Sequence, residues 1–222
     1  MSALKHTYFL MVLWLGFIMS SCGSGSSTKT TNPSHRYGVV SGEISYRLDG
    51  LQQGYETVYF DQWGAREARY TKATQKIGSG MNRKIDRLMI TDKEWIYTID
   101  FVEKTGTKTR NPAYDKEQKA TNLDVRDLSR INIQKLYKLG GKKIGQDQVV
   151  DLPCEIWEVK RLAAKFWVWN QIVLKRTPKI ATERTIIREA VKVTTGQEIP
   201  KDKFALPKEI KIQDLTKEGL RN

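Results

Sequence analysis

Histidine and cysteine are the scarcest reactive residues, two of each in 222. His6 stands among the first residues and His35 in a stretch of serine, threonine and glycine. No Cys/His pair, metal-ligand cluster or phosphate-cradling glycine loop can be assembled by motif. Asp86, Asp100, Glu155 and Glu158 could pair as carboxylates in principle, but nothing separates them from charges on the surface of a strand. The chain is therefore not expected to be an enzyme or to need a metal or an organic cofactor. A long hydrophobic run is also missing. The apolar stretch Tyr8–Met19 spans 12 residues, short of the roughly 20 helical residues that cross a bilayer, so it reads as a signal-peptide core. No Gly/Ser-rich or Pro-rich break follows Ser34, and no repeat recurs at a fixed period. A single domain is expected.

The first residues, "MSALKHTYFLMVLWLGFIMSSC", set one lysine before the apolar run and small residues before Cys22. Ile18-Met19-Ser20-Ser21-Cys22 resembles the lipobox of bacterial lipoproteins, with Met19 where leucine is commoner. The resemblance implies cleavage before Cys22 and acylation of its thiol and new amino group. Each buried methylene contributes about 0.8 kcal/mol, so two or three acyl chains make a firm anchor. The following "GSGSSTKTTNPSHR" has the composition of a flexible tether. Gly23 is not the aspartate that the resemblance associates with inner-membrane retention, so the expected location is the outer membrane, facing the periplasm. With Cys22 acylated, Cys154 has no disulfide partner and is expected to be a small buried hydrophobe. The expected organisation is a signal peptide over 1–21, lipidated cysteine and tether over 22–36, one domain over 37–210 and a tail over 211–222.

Lysine and arginine number 38 against 25 acidic residues; with Lys5 removed in the leader, the remainder carries +12. Such a charge attracts polyanions, which in an envelope are anionic headgroups, lipopolysaccharide phosphates and acidic wall polymers. Nucleic acid is not an expected partner, since no nucleic-acid-binding motif appears. The basic residues are scattered, as in "KATQKIGSGMNRK", "EKTGTKTR" and "GGKKIG", and mostly mark turns and solvated faces.

Beyond the tether, period-two segments alternate with turn signals. In "VVSGEISYRL" Val40, Ile44, Tyr46 and Leu48 share a face. "YETVYFDQW", "AREARYTKAT" (Ala68 and Tyr70 in phase) and "KIDRLMITD" follow. "EWIYTIDFV" is the cleanest strand, with Trp95, Tyr97, Ile99 and Phe101 on one face and Ile96, Thr98 and Asp100 on the other. After a charged loop over 103–120, "TNLDVRDLSRINIQKLYKLGG" turns to helical spacing through Val125, Leu128, Asn132 and Leu136. Thr121 can cap this helix, with Asp124 near its positive end, and Gly140 supplies a stop. Strand character returns in "CEIWEVK", "KFWVWNQIVLK" and "ERTIIREAVKVTT", and "EIPKDKFALPKEI" reads as an extended closing segment. "FWVWNQIVLK", read as one strand, is apolar on both sides: Phe166, Val168, Ile172 and Leu174 against Trp167, Trp169 and Val173. Both sides then need cover, from a helix, another sheet or a bound ligand. The expected fold is mainly β (α+β): a strongly curved antiparallel sheet, or half-barrel, of about 8–10 strands with one or two helices covering its concave side.

"GGKKIGQDQVVDLPCEIWEV", "KFWVWNQIVLK" and "AVKVTTGQEIPKDKFALP" resemble the second half of envelope half-barrel domains, those of the lipoprotein-carrier (Lol-type) superfamily and its uncharacterised relatives. The likeness in strand order covers Tyr37 to Pro207. It implies a concave apolar face that holds acyl chains in the carrier members. Read so, Trp95, Tyr97, Trp157, Trp167 and Trp169 are candidate cavity walls, and Lys142, Lys143 and Lys165 candidate contacts for an anionic headgroup at the rim. The expected function is an outer-membrane lipoprotein whose periplasmic domain binds a lipid or acyl chain. The alternative is a non-catalytic envelope assembly factor with a filled core, docking a protein partner through its convex face or the 103–120 loop.

Overall fold

Alternation of apolar and polar side chains along short segments joined by tight turns produces a sheet of twelve strands. The computed structural model describes residues 35–78, 80–111, 133–178 and 185–216. In chain order the strands are β1 Gly42–Gly50, β2 Gln52–Asp61, β3 Arg66–Ile77, β4 Met81–Asp92, β5 Trp95–Asp100, β6 Thr105–Arg110, β7 Lys142–Val149, β8 Leu152–Val159, β9 Ala164–Trp169, β10 Ile172–Pro178, β11 Ile186–Thr195 and β12 Ile212–Asp214, with a helix α1 at Ile133–Lys138. Their order across the sheet is β12-β6-β5-β4-β3-β2-β1-β11-β10-β9-β8-β7. Every neighbouring pair is antiparallel except β12 with β6. The mainly β expectation holds, with twelve strands in place of 8–10.

The sheet is open and curved. Neighbouring strands lie about 4.8 Å apart, so the four steps from β11 to β7 would span roughly 19 Å in a flat sheet. Yet β11 and β7 come within 8 Å of each other, Cα to Cα, which only a curled sheet allows. One apolar cluster runs along the inside, from Val58 and Phe60 of β2 to Cys154 of β8 and Val149 of β7. Tyr37, Ile44, Tyr46, Ile172, Leu174 and Ala190 complete that cluster, with Trp167 and Trp169 packed against it. A second cluster joins Leu136 and Leu139 to Trp157, Val159, Phe166, Val168 and Val173. A third covers the other face of β3–β5: Ala68, Leu88, Ile90 and Ile99, overlaid by Phe204, Ile210 and Ile212 of the closing segment.

Four expectations need correction. "FWVWNQIVLK" is two strands and not one, because β9 and β10 pair across Asn170-Gln171 with Ile172 opposite Trp169. Both turn residues have positive φ, 44° and 65°, as the primed two-residue hairpin turn demands. A bulge between Val173 and Lys175 then shifts the register. Part of the 103–120 loop, Thr105–Arg110, is strand β6. "GGKKIGQDQVV" contains β7, joined to β8 by the two-residue turn Val150-Asp151 with φ of 52° and 58°. The closing segment folds back far enough for β12, beyond residue 210, to extend the sheet.

Of the expected helix, Thr121, Asp124, Val125, Leu128 and Asn132 lie outside the described residues. Its final turns are α1, which ends as expected at Gly140: φ is 75° there, and the next amide, of Gly141, donates to the Leu136 carbonyl at 2.8 Å.

Candidate functional site

The five aromatic candidates divide among different surroundings. Trp157 is buried in the second cluster, its indole N–H donating to Glu155 Oε2 at 3.1 Å and Tyr137 meeting it edge-on at 4.6 Å. Trp167 and Trp169, alternating with Phe166 and Val168, pack on the opposite side against the first cluster. Trp167 donates to Asp147 Oδ2 at 2.9 Å, and this bond, with the backbone amide of Gln148, holds the Asp147 carboxyl below its ordinary pKa. Tyr97 packs on the third cluster. Trp95 carries Lys108 Nζ 3.8 Å above its ring. Both faces of "FWVW" thus meet protein: Phe166 and Val168 join the helix residues Leu136 and Leu139 in the second cluster, while Trp167 and Trp169, partly buried, pack against the first.

The candidate rim lysines lie among carboxylates. Lys143 Nζ sits 2.9 Å from Glu155 Oε1. Lys142 and Lys165 stand in register on either side of Glu158. Cys22 lies outside the described residues. Of the carboxylates weighed above, Asp86 faces Lys72 at 3.9 Å and Asp100 faces Arg87 at 3.6 Å. His35 is not solvated tether: its ring stacks on Trp63 with centroids 4.3 Å apart.

The chemistry concentrates instead on the inner face of β1, β2, β3 and β11. Register sets Glu56 opposite Tyr46, Arg69 opposite Val58 and Glu67 opposite Phe60, so these charges share a face with core residues. Arg69, 4% exposed, donates to Glu56 Oε1 at 2.7 Å and to Glu67 Oε1 at 2.9 Å. Arg188 Nε donates to Glu56 Oε1 at 2.8 Å, and its guanidinium lies 3.2 Å over the Tyr46 ring. Thr71 donates to Glu56 Oε2 at 3.2 Å. Glu67 accepts from the Tyr37 hydroxyl and pairs with Arg36 at 3.1 Å.

Burial would raise the Glu67 carboxyl, but Arg36, Arg69 and the Tyr37 hydrogen bond outweigh it and hold it well below the usual carboxylate range. Glu56 is lowered the same way by Arg69 and Arg188 against its burial. Burial drives the Tyr37 hydroxyl above its ordinary value. Two carboxylates held ionised around Arg69, which they in turn hold protonated against its burial, make a structural lock of fixed charge near neutral pH. Cys154 is equally inert, buried at 2% exposure with its thiol pushed up to about 11, chiefly by desolvation.

On the opposite face lies an open recess of about 330 Å³ lined by Tyr55, Thr57, Tyr59, Tyr70, Lys72, Asp202 and Lys203. Alternation on β2 and β3 puts the three tyrosines there, and the Lys201–Phe204 turn closes one wall. Tyr70 donates to the Lys203 carbonyl at 2.9 Å, and Tyr59 meets Tyr70 edge-on at 5.9 Å. Tyr55 is 65% exposed, so the recess presents rings as well as charges. Neither the buried lock nor this recess was singled out from the sequence.

No known family profile matches the chain, and no curated protein does. Among solved structures, an uncharacterised conserved protein from Thermus thermophilus aligns over 79% of this chain and 91% of its own at 6% identity and a TM-score of 0.50. PNGF-II aligns over 81% of this chain and 33% of its own, at 10% identity and a TM-score of 0.39. The Pseudomonas aeruginosa MucA/MucB complex aligns over 78% and 58%, at 9% and 0.38. The first similarity concerns the fold alone.

Proposed function

We propose that this chain is a lipid-anchored protein of the bacterial envelope, held through acylated Cys22 on the periplasmic side of the outer membrane. Its curved-sheet domain acts as a non-catalytic interaction factor with a filled core. The observation that carries this reading is what fills the inside of the curve. Trp167 and Trp169 pack against the first core cluster there, and Trp167 is held by Asp147. The inner face beside them holds the Glu56–Arg69–Glu67 lock. An acyl chain needs continuous apolar walls with few polar groups, and buried ions are the costliest neighbours it could meet. The tyrosine recess, outside the core and partly exposed, is the docking surface for an envelope partner.

Native mass spectrometry tests the core of this proposal on the chain from Gly23 onward, purified from bacterial envelopes without detergent. A bare polypeptide mass, still bare after incubation with envelope lipids, is expected. A stoichiometric, solvent-extractable lipid would replace this reading with the carrier reading. The anchor is tested separately: Cys22→Ala should move the protein out of the membrane fraction, and retention there would remove the lipoprotein assignment.

A further inference from the structure

The β3–β4 hairpin projects past its neighbours. Pairing with β2 ends at Gln75 opposite Gln52, and pairing with β5 begins only at Arg87 opposite Asp100. Met81–Ile85 therefore have no partner on the β5 side among the described residues. At the end of this projection Ile77 and Met81 face each other across the ladder, 43% and 67% exposed. Lys76, Asn82, Arg83 and Lys84 are exposed around them. Among the described residues no carboxylate lies within ion-pair distance of Lys76, Arg83 or Lys84; the nearest acid along the strands, Asp86, faces Lys72.

We propose that this tip is a membrane-docking element that seats on a bilayer containing anionic phospholipid. Two neighbouring apolar side chains at the end of a rigid two-stranded arm can enter the boundary between headgroups and acyl chains. The three unneutralised cations beside them then meet lipid phosphates, the pairing of apolar tip and basic collar that interfacial binding uses. A core role for Ile77 and Met81 is excluded by their exposure, and a purely solvated turn leaves two large apolar side chains in water for no packing gain. The docking needs neither the Cys22 anchor nor a protein partner, so it stands or falls apart from the function proposed above. An anchored tether would add to it by holding the domain near the surface.

The test uses the chain from Gly23 onward, which contains the whole compact unit Thr31–Asn222. It is sedimented with vesicles of phosphatidylcholine, with and without about one-third phosphatidylglycerol to supply the negative surface potential that attracts basic clusters. Binding only to the anionic vesicles is expected. The Lys76→Gln/Arg83→Gln/Lys84→Gln variant should weaken it about 100-fold, from roughly a factor of five per cation. Ile77→Ser/Met81→Ser should weaken it roughly tenfold, with melting curves unchanged because all five side chains are exposed. A fluorophore on Met81→Cys, in a Cys154→Ala background, should shift to the blue with anionic vesicles. Binding that survives the triple substitution would assign it to other lysines and overturn the proposal. Binding lost with the charges but untouched by the serine pair, with no blue shift, would overturn insertion of the tip.

Discussion

Between β2 and β3 the inside of the curve is built from Glu56, Glu67 and Arg69, with Arg188 reaching over from β11. Three strands further round, between β8 and β10, the buried surface is Trp157, Phe166, Val168 and Val173 under Leu136 and Leu139 of the helix. Both regions solve the same problem, burial on a sheet face, with opposite chemistry. The apolar region gains from area removed from water and tolerates approximate geometry. The ionic region gains only if every charge meets its partner, and losing one partner strands the others. That difference predicts how each region should fail.

The largest expected effects come from cutting one member of each. Arg69→Ala should cost about 3–5 kcal/mol of unfolding free energy, because it leaves Glu56 and Glu67 short of a counter-charge in a buried setting. Phe166→Ala should cost a similar 3–5 kcal/mol through the cavity it opens. Urea melts at neutral pH would not tell the two apart; melts at several pH values would. Glu56 and Glu67 have folded pKa values below their unfolded ones. Their contribution is therefore present above the unfolded carboxyl pKa of about 4.3 and is lost as pH falls below it. The cost of Arg69→Ala should shrink on acidification, while that of Phe166→Ala stays level. A cost of Arg69→Ala that does not change with pH would mean the network is held by packing and not by charge.

Acidification of the unsubstituted chain gives the next effect. Stability should fall as pH drops below about 4.3, and Glu67→Gln, though less stable at neutral pH, should show a flatter acid limb. An equally steep limb in that variant would place the acid-sensitive group elsewhere.

These contrasts also explain what could be read beforehand. Strands in which apolar side chains alternate without interruption, such as β1 with Ile44, Tyr46 and Leu48 buried, were legible because one buried face dictates period two. Strand β6, "TGTKTR", was missed because its alternation is carried by Thr105, Thr107 and Thr109. Their β-branched shape suits a strand, but they are not counted by a hydrophobicity pattern. The "FWVWNQIVLK" hairpin was missed because Asn170-Gln171 lacks the glycine that usually marks a primed turn. Legibility failed most on the ionic lock. Charge in sequence reads as surface, and only the pairing of β2 with β3 reveals that Glu56 and Arg69 lie in the buried phase of their strands. A usable signal did exist: Glu56 shares the phase of Val58 and Phe60, and Arg69 of the next strand stands opposite Val58, one diagonal step from Glu56. The tryptophans erred the other way, since apolar side chains on both faces of a segment look like a wall awaiting a ligand until the partners on both sides are known.

The turn between β7 and β8 offers a smaller, stabilising test on the apolar side. Val150 holds a φ of 52°, a left-handed conformation that costs a β-branched residue about 1–2 kcal/mol and suits asparagine far better. Val150 is also 39% exposed, so little packing is lost on replacement. Val150→Asn should raise stability by about 1 kcal/mol. A loss would show that the valine side chain contributes more to the neighbouring core than its exposure allows.

The smallest effect belongs to the lysines beside the tryptophan strands. Lys143 and Glu155 form an ion pair at 2.9 Å with side chains 44% and 41% exposed, and exposed pairs of this kind contribute about 0–1 kcal/mol. Lys143→Gln should therefore leave the urea midpoint nearly unchanged, in contrast to Arg69→Ala, although both remove one cation from a carboxylate. The same substitution, combined with Lys142→Gln, separates paired from unpaired basic surface. Glu155 and Glu158 already offset these lysines, so removing them should change anionic-vesicle binding far less than neutralising Lys76, Arg83 and Lys84. Equal losses from the two sets would mean that total charge governs attraction to the membrane. A loss confined to the hairpin set would mean that local neutralisation decides which part of a uniformly basic protein faces the lipid.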